Sequence, residues 1–507
     1  MSLPRLNAAV VDDLLVPHPR SREMARLPER VLQFGEGAFL RGFVDWMIDR
    51  LNRQGLFNGR IVVIQPLPHG TVDQLNEQDG FYTLLLRGLR DGTAVKSREI
   101  IGSISRGINP YRNYPEFLRC AQNPDLRFIV SNTTEAGIVC NAADRLGDSP
   151  PASFPGKLTA LMHARFRAFD GDPAKGLLLL PCELIERNGD KLKNCVLQTA
   201  ECWGLEAAFA EWIEQANCFT NTIVDRIVTG FPADEAPAIF QELGYEDALL
   251  DAGEIYHSWV IEGPQQLAGE LAFHLAGLNV LWTRDVQPYR NRKVRVLNGA
   301  HTMAAPLAFL AGKQTVKEII DDPVISEFLR RGIHEEIIPT LELPRADLER
   351  FAANVLERFA NPCIRHRLLS ITPNSISKFT VRVLPSIVEY LDRKGSLPRR
   401  LTFSLAGLIA FYRGTDIRDS ALIGRRDGIE YEIVDDAAAL EVFSRAWAAF
   451  DPTPAGTAAL VMDVLSRASV WGDDLNRVPG LSRAVSGDLY EITTRGPLQA
   501  MRRIGQT

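Results

Sequence analysis

Disulfides and structural metal have little to work with in this chain. Only seven of its 507 residues are cysteine (Cys120, Cys140, Cys182, Cys195, Cys202, Cys218 and Cys363), with no CxxC pair and no histidine at metal-ligand spacing. Reduced thiols packed as small hydrophobes, and no metal, are expected. No segment approaches eighteen uninterrupted apolar residues, and the first twenty, which include Asp12 and Asp13, hold no apolar stretch of signal-peptide length. The expectation is a cytoplasmic protein without a membrane partner. An excess of one charge sign is also missing: 57 Lys plus Arg stand against 63 Asp plus Glu, a net charge of −6, and the basic residues are scattered. Nucleic acid is therefore not an expected partner. Internal repeats and low-complexity tracts are absent as well. What remains is an ordinary globular composition, 46% hydrophobic and 24% charged, in a chain too long for one core.

Two further absences sit near the N-terminus. Residues 31–34 read as a short strand, followed by the turn Gly35-Glu-Gly37-Ala-Phe39-Leu-Arg41 and then apolar Phe39, Phe43, Met47, Ile48 and Leu51 at helical spacing. A strand, glycine turn and helix in this order let backbone N–H groups approach a pyrophosphate. The third glycine of the dinucleotide fingerprint is missing, because Leu40 holds its place. A tight structural turn is the competing reading. A second strand, 60–65, ends in Gln65-Pro66 where the carboxylate that binds the ribose of NAD normally stands, and no arginine follows at once to hold a 2′-phosphate.

Apolar runs at 126–131 and 176–181, with a helical pattern at 157–169 between them, suit strands covered on both faces. The expected fold is α/β, an N-terminal Rossmann-type parallel sheet domain (1–285) followed by a mainly α-helical C-terminal domain (286–507). Polar groups follow the later strands: Asn132, Thr133 and Thr134 after one, Cys182 through Gly189 after the other. Ligands bind beyond such strand ends, although turn chemistry selects the same residue types. In the second domain, helical patterns run over 294–310, 316–329 with a break at Pro323, 346–359, 401–412 and 436–450, while 414–435 reads as an exposed loop or ribbon.

The stretch Lys293-Val-Arg-Val-Leu-Asn298-Gly-Ala-His301 carries three polar groups at intervals of five and three. On an α-helix Asn298 lies about 140° and His301 about 80° from Lys293, so one half of the helix carries all three, with an axial rise of roughly 12 Å. A snorkelling lysine beside a packed histidine has the same spacing.

Four motifs in order, Gly35-x-Gly37-x-Phe39-x-Arg41, Thr133-Thr134-Glu135-x-Gly137, Val224-Asp225-Arg226-Ile227 and Lys293-x4-Asn298-x2-His301, resemble the polyol-specific long-chain dehydrogenase/reductase family over nearly the whole chain. That family includes mannitol dehydrogenases, fructuronate reductases and tagaturonate reductases, and the motif details here are most similar to its tagaturonate-reducing branch. The resemblance implies a Rossmann-type domain, a helical domain, NAD as cofactor, no metal, a sugar-acid substrate, and a monomer or homodimer. It implies cofactor contacts at Gly35, Gly37, Phe39, Arg41, Gln65, Asn132, Thr133 and Thr134. Lys293 would be general acid in ketone reduction, Asn298 a donor to the developing alkoxide, and His301 the group orienting the substrate oxygen. D-tagaturonate reduction to D-altronate is the implied activity, with fructuronate or a neutral ketose as alternatives. A catalytically silent nucleotide-binding regulator is the alternative from another class, and the intact Lys293, Asn298 and His301 speak against it.

Departures from the family pattern sharpen the expectation. Mannitol-active members carry a carboxylate three residues before the lysine, where this chain has Arg290, with Arg292 and Arg295 close by in sequence. Positive neighbours disfavour a protonated lysine and suit an anionic substrate. Cys182-Glu183-Leu184 has leucine where polyol-active members place an asparagine that donates to the oxyanion, and Asn188 replaces it only if its loop folds back. Asp225 reads equally as a substrate ligand or as half of an ion pair with Arg226 tying the domains. Lys378 matches a substrate-side lysine of the family, and Arg382, one turn on, would complete a carboxylate clamp, unless both belong to a solvated basic face.

Overall fold

A computed structural model describes residues 3–14, 21–134 and 136–505. The chain divides into two compact units, Met1–Gly88 with Ala94–Val286, and Leu89–Thr93 with Gln287–Thr507.

In the first unit six strands form one parallel sheet: β1 (Glu29–Phe34), β2 (Arg60–Ile64), β3 (Ile104–Ile108), β4 (Phe128–Ser131), β5 (Leu178–Pro181) and β6 (Cys218–Phe219), in the order β3-β2-β1-β4-β5-β6. This is the doubly wound order of dinucleotide-binding folds, with the crevice where the order reverses, beyond the carboxyl ends of β1 and β4. The continuous apolar runs are explained by two covered faces. Val31, Ile61, Val63, Phe128, Val130, Leu178 and Leu180 enter one core with Phe43, Met47 and Leu51. Their alternates Leu32, Phe34, Val62, Ile64, Ile129 and Leu179 enter a second, against Leu158 and Met162 of α2 (Phe154–Ala168) and Val196 of α3 (Asn188–Cys202). Burying six or seven aliphatic side chains on each face contributes on the order of 10–20 kcal/mol per face before the chain entropy is subtracted.

The helix after the glycine turn is interrupted. Ala38–Leu40 is α-helical, Arg41–Asp45 widens into a π-turn, and α1 (Trp46–Arg53) resumes the α-helix. The sequence pattern gave no sign of a separate four-stranded sheet, which pairs Val228–Gly230, Asp251–Glu254, Tyr82–Arg90 and Thr93–Ile101.

The second unit is mainly helical. Pro323 begins a new helix, as its position suggests: Val316–Asp321 ends and Pro323–Arg331 starts, capped by the Asp322 carboxylate. The segment read as a loop or ribbon at 414–435 is a three-stranded antiparallel sheet of Gly414–Arg418, Ala421–Arg426 and Ile429–Ile433. Its charged residues occupy the solvent side of short strands while Leu422 and Ile433 are buried, which is why polarity alone resembled a loop. The stretch around Lys293 is also not one α-helix. It runs as α4 (Gln287–Arg292), a π-turn over Lys293–Asn298, and α5 (Gly299–Leu310).

Candidate active site

The residues expected to contact a cofactor lie at the carboxyl ends of β1, β2 and β4 or next to them in the first unit. Gly35 has φ +122°, and a Cβ there would lie 3.0 Å from the Asn132 carbonyl oxygen and 3.3 Å from Leu40. Only glycine tolerates both the angle and the approach. Gly37 caps the following helical run, and a Cβ on it would meet nothing within 4 Å, leaving its backbone open to a ligand. The Asn132–Thr134 loop is fastened by a residue that sequence reasoning quoted without assigning a role. Glu183, buried after β5, accepts from Thr133 N and Thr133 Oγ1 at 3.0 Å each and from Ser131 Oγ at 3.1 Å. Asn132 Nδ2 donates to the Cys182 carbonyl at 3.3 Å, and Thr134 takes a left-handed conformation at φ +75°. Glu135 of the quoted motif lies outside the described residues. Gly35, Gly37, Asn132, Thr133 and Thr134 are thus gathered at one sheet end. The exposed Gly37 backbone at the start of the helical run fits a pyrophosphate, while buried Gly35 lets the Asn132 strand end pack close beneath it.

Three expectations for this unit need correction. Arg41 is 8% exposed, donates to the Glu36 carbonyl at 2.5 Å and lies over the Tyr82 ring, so it braces the glycine turn from beneath instead of presenting its charge to a cofactor. Gln65 is 2% exposed and donates to the Leu67 carbonyl at 2.8 Å, so it secures its own loop. Asn188 does fold back, but as a latch. Its amide nitrogen meets the carbonyls of Pro181, Glu183 and Thr222 while its oxygen accepts from Gly189 N and Thr222 N, leaving no hydrogen for a substrate. Leu184, by contrast, is 62% exposed. Phe39 is stacked on Phe43 with ring centroids 5.1 Å apart. Asp225 is buried at the end of its strand, and Arg226 donates to the Glu254 and Gly42 carbonyls and stacks on Trp46, all within the first unit.

Beneath the turn, burial pushes the Asp45 carboxyl up to about 8, partly offset by the Gln33 amide and the Arg41 charge, and pushes Asp251 up to about 7. An unfolded aspartate titrates near 3.9. The folded state therefore keeps protons that the unfolded chain releases, and stability falls as pH rises from about 4 to about 8. Asp45→Asn is expected to reduce the drop in melting temperature between pH 5 and pH 8. An unchanged drop would show that Asp45 does not titrate in that window.

The residues expected to be catalytic, Lys293, Asn298 and His301, lie in the second unit. Gly299 N–H donates to the Val294 carbonyl, an i→i+5 bond that marks the π-turn. Such a turn draws residues five apart toward one line, so Lys293 and Asn298 come closer to a shared face than the 140° of an ideal α-helix allows. Gly299 also lets a second helix approach, since a Cβ there would lie 3.1 Å from the Arg382 carbonyl oxygen. That contact brings α6 (Ser375–Arg382) against the start of α5, and Arg382 Nη1 reaches Thr302 Oγ1 at 3.4 Å. Lys378 donates to the Ile371 carbonyl at 3.0 Å.

His301 is half-buried and stacked on Phe359 at 4.2 Å, with His366 edge-on at 5.2 Å. Burial lowers its pKa well below the usual histidine value, and the charges of His366, Arg358, Arg382 and Lys378 lower it further. A neutral imidazole results near pH 7. Two polar atoms here are buried without a hydrogen-bond partner among the described residues, Asn298 Oδ1 and His301 Nε2. Unsatisfied atoms converging on two of the three predicted residues are where a ligand hydroxyl or carbonyl would restore hydrogen bonds. Phe359, His366 and Arg358 were not foreseen, because each is distant in sequence and carries no motif.

Of the three arginines near Lys293, Arg292 lies over the Phe351 ring at 4.4 Å and Arg295 donates to Thr340 at 3.4 Å, while Arg290 is half-buried in α4. No cluster of three His, Cys, Asp or Glu suited to a metal occurs among the described residues, and none of their helices is long and apolar enough to cross a membrane.

Known proteins match in the same two parts. Residues 29–275 match the model of the mannitol dehydrogenase Rossmann domain, and residues 285–493 that of the mannitol dehydrogenase C-terminal domain. Altronate oxidoreductases of Escherichia coli O6:K15:H31 (strain 536 / UPEC) and O139:H28 (strain E24377A / ETEC) are each 47% identical over 479 residues, 94% of this chain and 97% of theirs. Among solved structures, Pseudomonas fluorescens mannitol 2-dehydrogenase in complex with NAD and D-mannitol aligns over 99% of this chain and 100% of its own, with TM-score 0.70 and 22% identity. A substrate-free D-sorbitol dehydrogenase aligns over 98% and 100%, with TM-score 0.80 and 20% identity. At those identities the two structures speak for the fold.

Proposed function

Because the chain belongs to the mannitol dehydrogenase family, and so is an oxidoreductase acting on CH–OH groups with a nicotinamide cofactor, we propose that it reduces D-tagaturonate to D-altronate, reversibly and with NADH, in cytoplasmic hexuronate catabolism. The observation that carries the choice of an acidic sugar is the basic surround of His301. Arg358, Arg382 and Lys378 all bear on one half-buried imidazole, each disfavouring its charged form. A substrate carboxylate would be attracted by this positive field, whereas a neutral ketose gains nothing from it. The altronate oxidoreductases at 47% identity support the same reading.

The bound nicotinamide supplies the hydride. Charge then develops on the substrate carbonyl oxygen, and Lys293 donates the proton that makes it a hydroxyl; in the reverse direction the neutral amine takes that proton back. Asn298 and His301, whose unpaired atoms await a partner, bind and orient the substrate's oxygens. Gly35, Gly37 and the Asn132–Thr134 loop hold the cofactor's phosphates. NAD is favoured over NADP because residues 65–71, after β2, contain no lysine or arginine to bind a 2′-phosphate.

A steady-state panel of tagaturonate, fructuronate and fructose, each with NADH and NADPH, tests this. The highest kcat/KM is expected for tagaturonate with NADH. Preference for fructose over both hexuronates would overturn the assignment.

A further inference from the structure

A dinucleotide fold usually reads the adenosine ribose with an acid at the end of β2, and here Gln65 stands there, sealed into its loop. A carboxylate reaches the same place from another strand. Glu36 lies between the two glycines of the turn after β1, and its Oε1 fills the space beside Gly70, in the loop after β2. The approach is close enough to dictate the neighbouring residue. A Cβ on Gly70 would run into Glu36 Oε1 and lie 2.6 Å from the Gln65 amide carbon. Glu36 remains half-buried, and a carboxylate offers about four acceptor positions to a ligand hydroxyl.

We propose that Glu36 is the residue that distinguishes the two nicotinamide cofactors, accepting a hydrogen bond from the ribose 2′-hydroxyl and repelling a 2′-phosphate, in place of the acid absent from β2. The inference rests on the NAD assignment made above. A 2′-hydroxyl is a donor that an acceptor-only carboxylate can satisfy, whereas a 2′-phosphate brings negative charge against it beside residues 65–71, which hold no lysine or arginine, while the nearby Arg41 is turned onto the Glu36 carbonyl. It also explains why the turn reads Gly-Glu-Gly. The glycines serve the pyrophosphate, and the residue between them serves the sugar beyond it.

The test compares the parent enzyme with Glu36→Gln and Glu36→Asp, measuring Kd for NADH and NADPH by fluorescence titration without sugar, and the ratio of kcat/KM for the two cofactors. In Glu36→Gln the preference for NADH is expected to fall at least about tenfold, through weaker NADH and stronger NADPH binding. Glu36→Asp, which keeps the charge, is expected to retain most of it. Melting curves without ligand identify a variant that has lost its fold, and Glu36→Asp then still reports whether preference follows charge. An NADH-preferring parent whose Glu36→Gln variant keeps the same ratio overturns the role of Glu36 alone. A parent that binds NADPH as well as NADH overturns the NAD assignment and this inference with it.

Discussion

Lys293→Ala is expected to lower kcat for ketone reduction by about two to four orders of magnitude, while the Kd for NADH, measured by fluorescence titration, is expected to stay at the parent value. The split follows from where the residue lies. Lys293 opens the π-turn of the second unit, whereas Gly35, Gly37 and the Asn132–Thr134 loop belong to the first. Hydride transfer leaves negative charge on the carbonyl oxygen, and without a proton donor fixed nearby water must supply the proton at a higher barrier. Lys293→Arg should not restore the rate, since a guanidinium keeps the charge but does not release a proton near neutral pH. Burial and neighbouring cations favour the neutral form of His301. Altronate oxidation, which needs the neutral amine, is expected to rise with pH. A Lys293→Ala enzyme with parental kcat would remove the role and revive a nucleotide-binding regulator without chemistry.

The parts of the molecule that were legible in sequence are those where local chemistry leaves no choice. Strands β1, β2, β4 and β5 were visible because both faces of the sheet are covered, which forces unbroken runs such as Leu178–Pro181. Pro323 marked a helix start because proline lacks the N–H that a helix interior needs. The small four-stranded sheet was not legible. Its strand Asp251–Glu254 is a buried Asp-Ala-Gly-Glu whose burial comes from distant partners. The π-turns were invisible for a different reason. Nothing in Lys293–Asn298 forbids an α-helix, and the extra residue per turn is accommodated by packing, with Gly299 pressed against Arg382. The errors at Arg41, Gln65 and Asn188 share a cause. Each stands beside the glycine turn or a strand end, and each was assigned outward when its hydrogen bonds run inward to hold that backbone in place. Glu183 and Glu36 show the converse, because the loops they pack against come from other strands, and spacing along one strand does not reveal them.

Arg382→Ala is expected to raise KM for tagaturonate by about 10- to 100-fold and to leave KM for fructose, where it is turned over at all, nearly unchanged. The argument is one of charge matched to charge. Arg382 ends α6 where the backbone touches Gly299, its guanidinium reaches Thr302 one residue beyond His301, and Lys378 lies one helical turn earlier on the same side. Burial and the nearby Arg382 lower the pKa of Lys378, partly offset by Asp435, so an anion placed between the two cations would ease their mutual repulsion. Binding a carboxylate relieves that repulsion, which a neutral sugar cannot do. Lys378→Ala should therefore act in the same direction but more weakly, because an ammonium offers a point charge where the guanidinium offers a two-pronged donor. Combining the two substitutions should cost a different amount from the sum of the single losses, since both would hold the same carboxylate. Salt provides an independent check. Raising ionic strength from 0.05 to 0.5 M, roughly a threefold shortening of the Debye length, should raise KM for the hexuronate more in the parent than in Arg382→Ala. Equal losses for acidic and neutral sugars would mean that Arg382 supports the packing of α6 on α5 and does not read substrate charge.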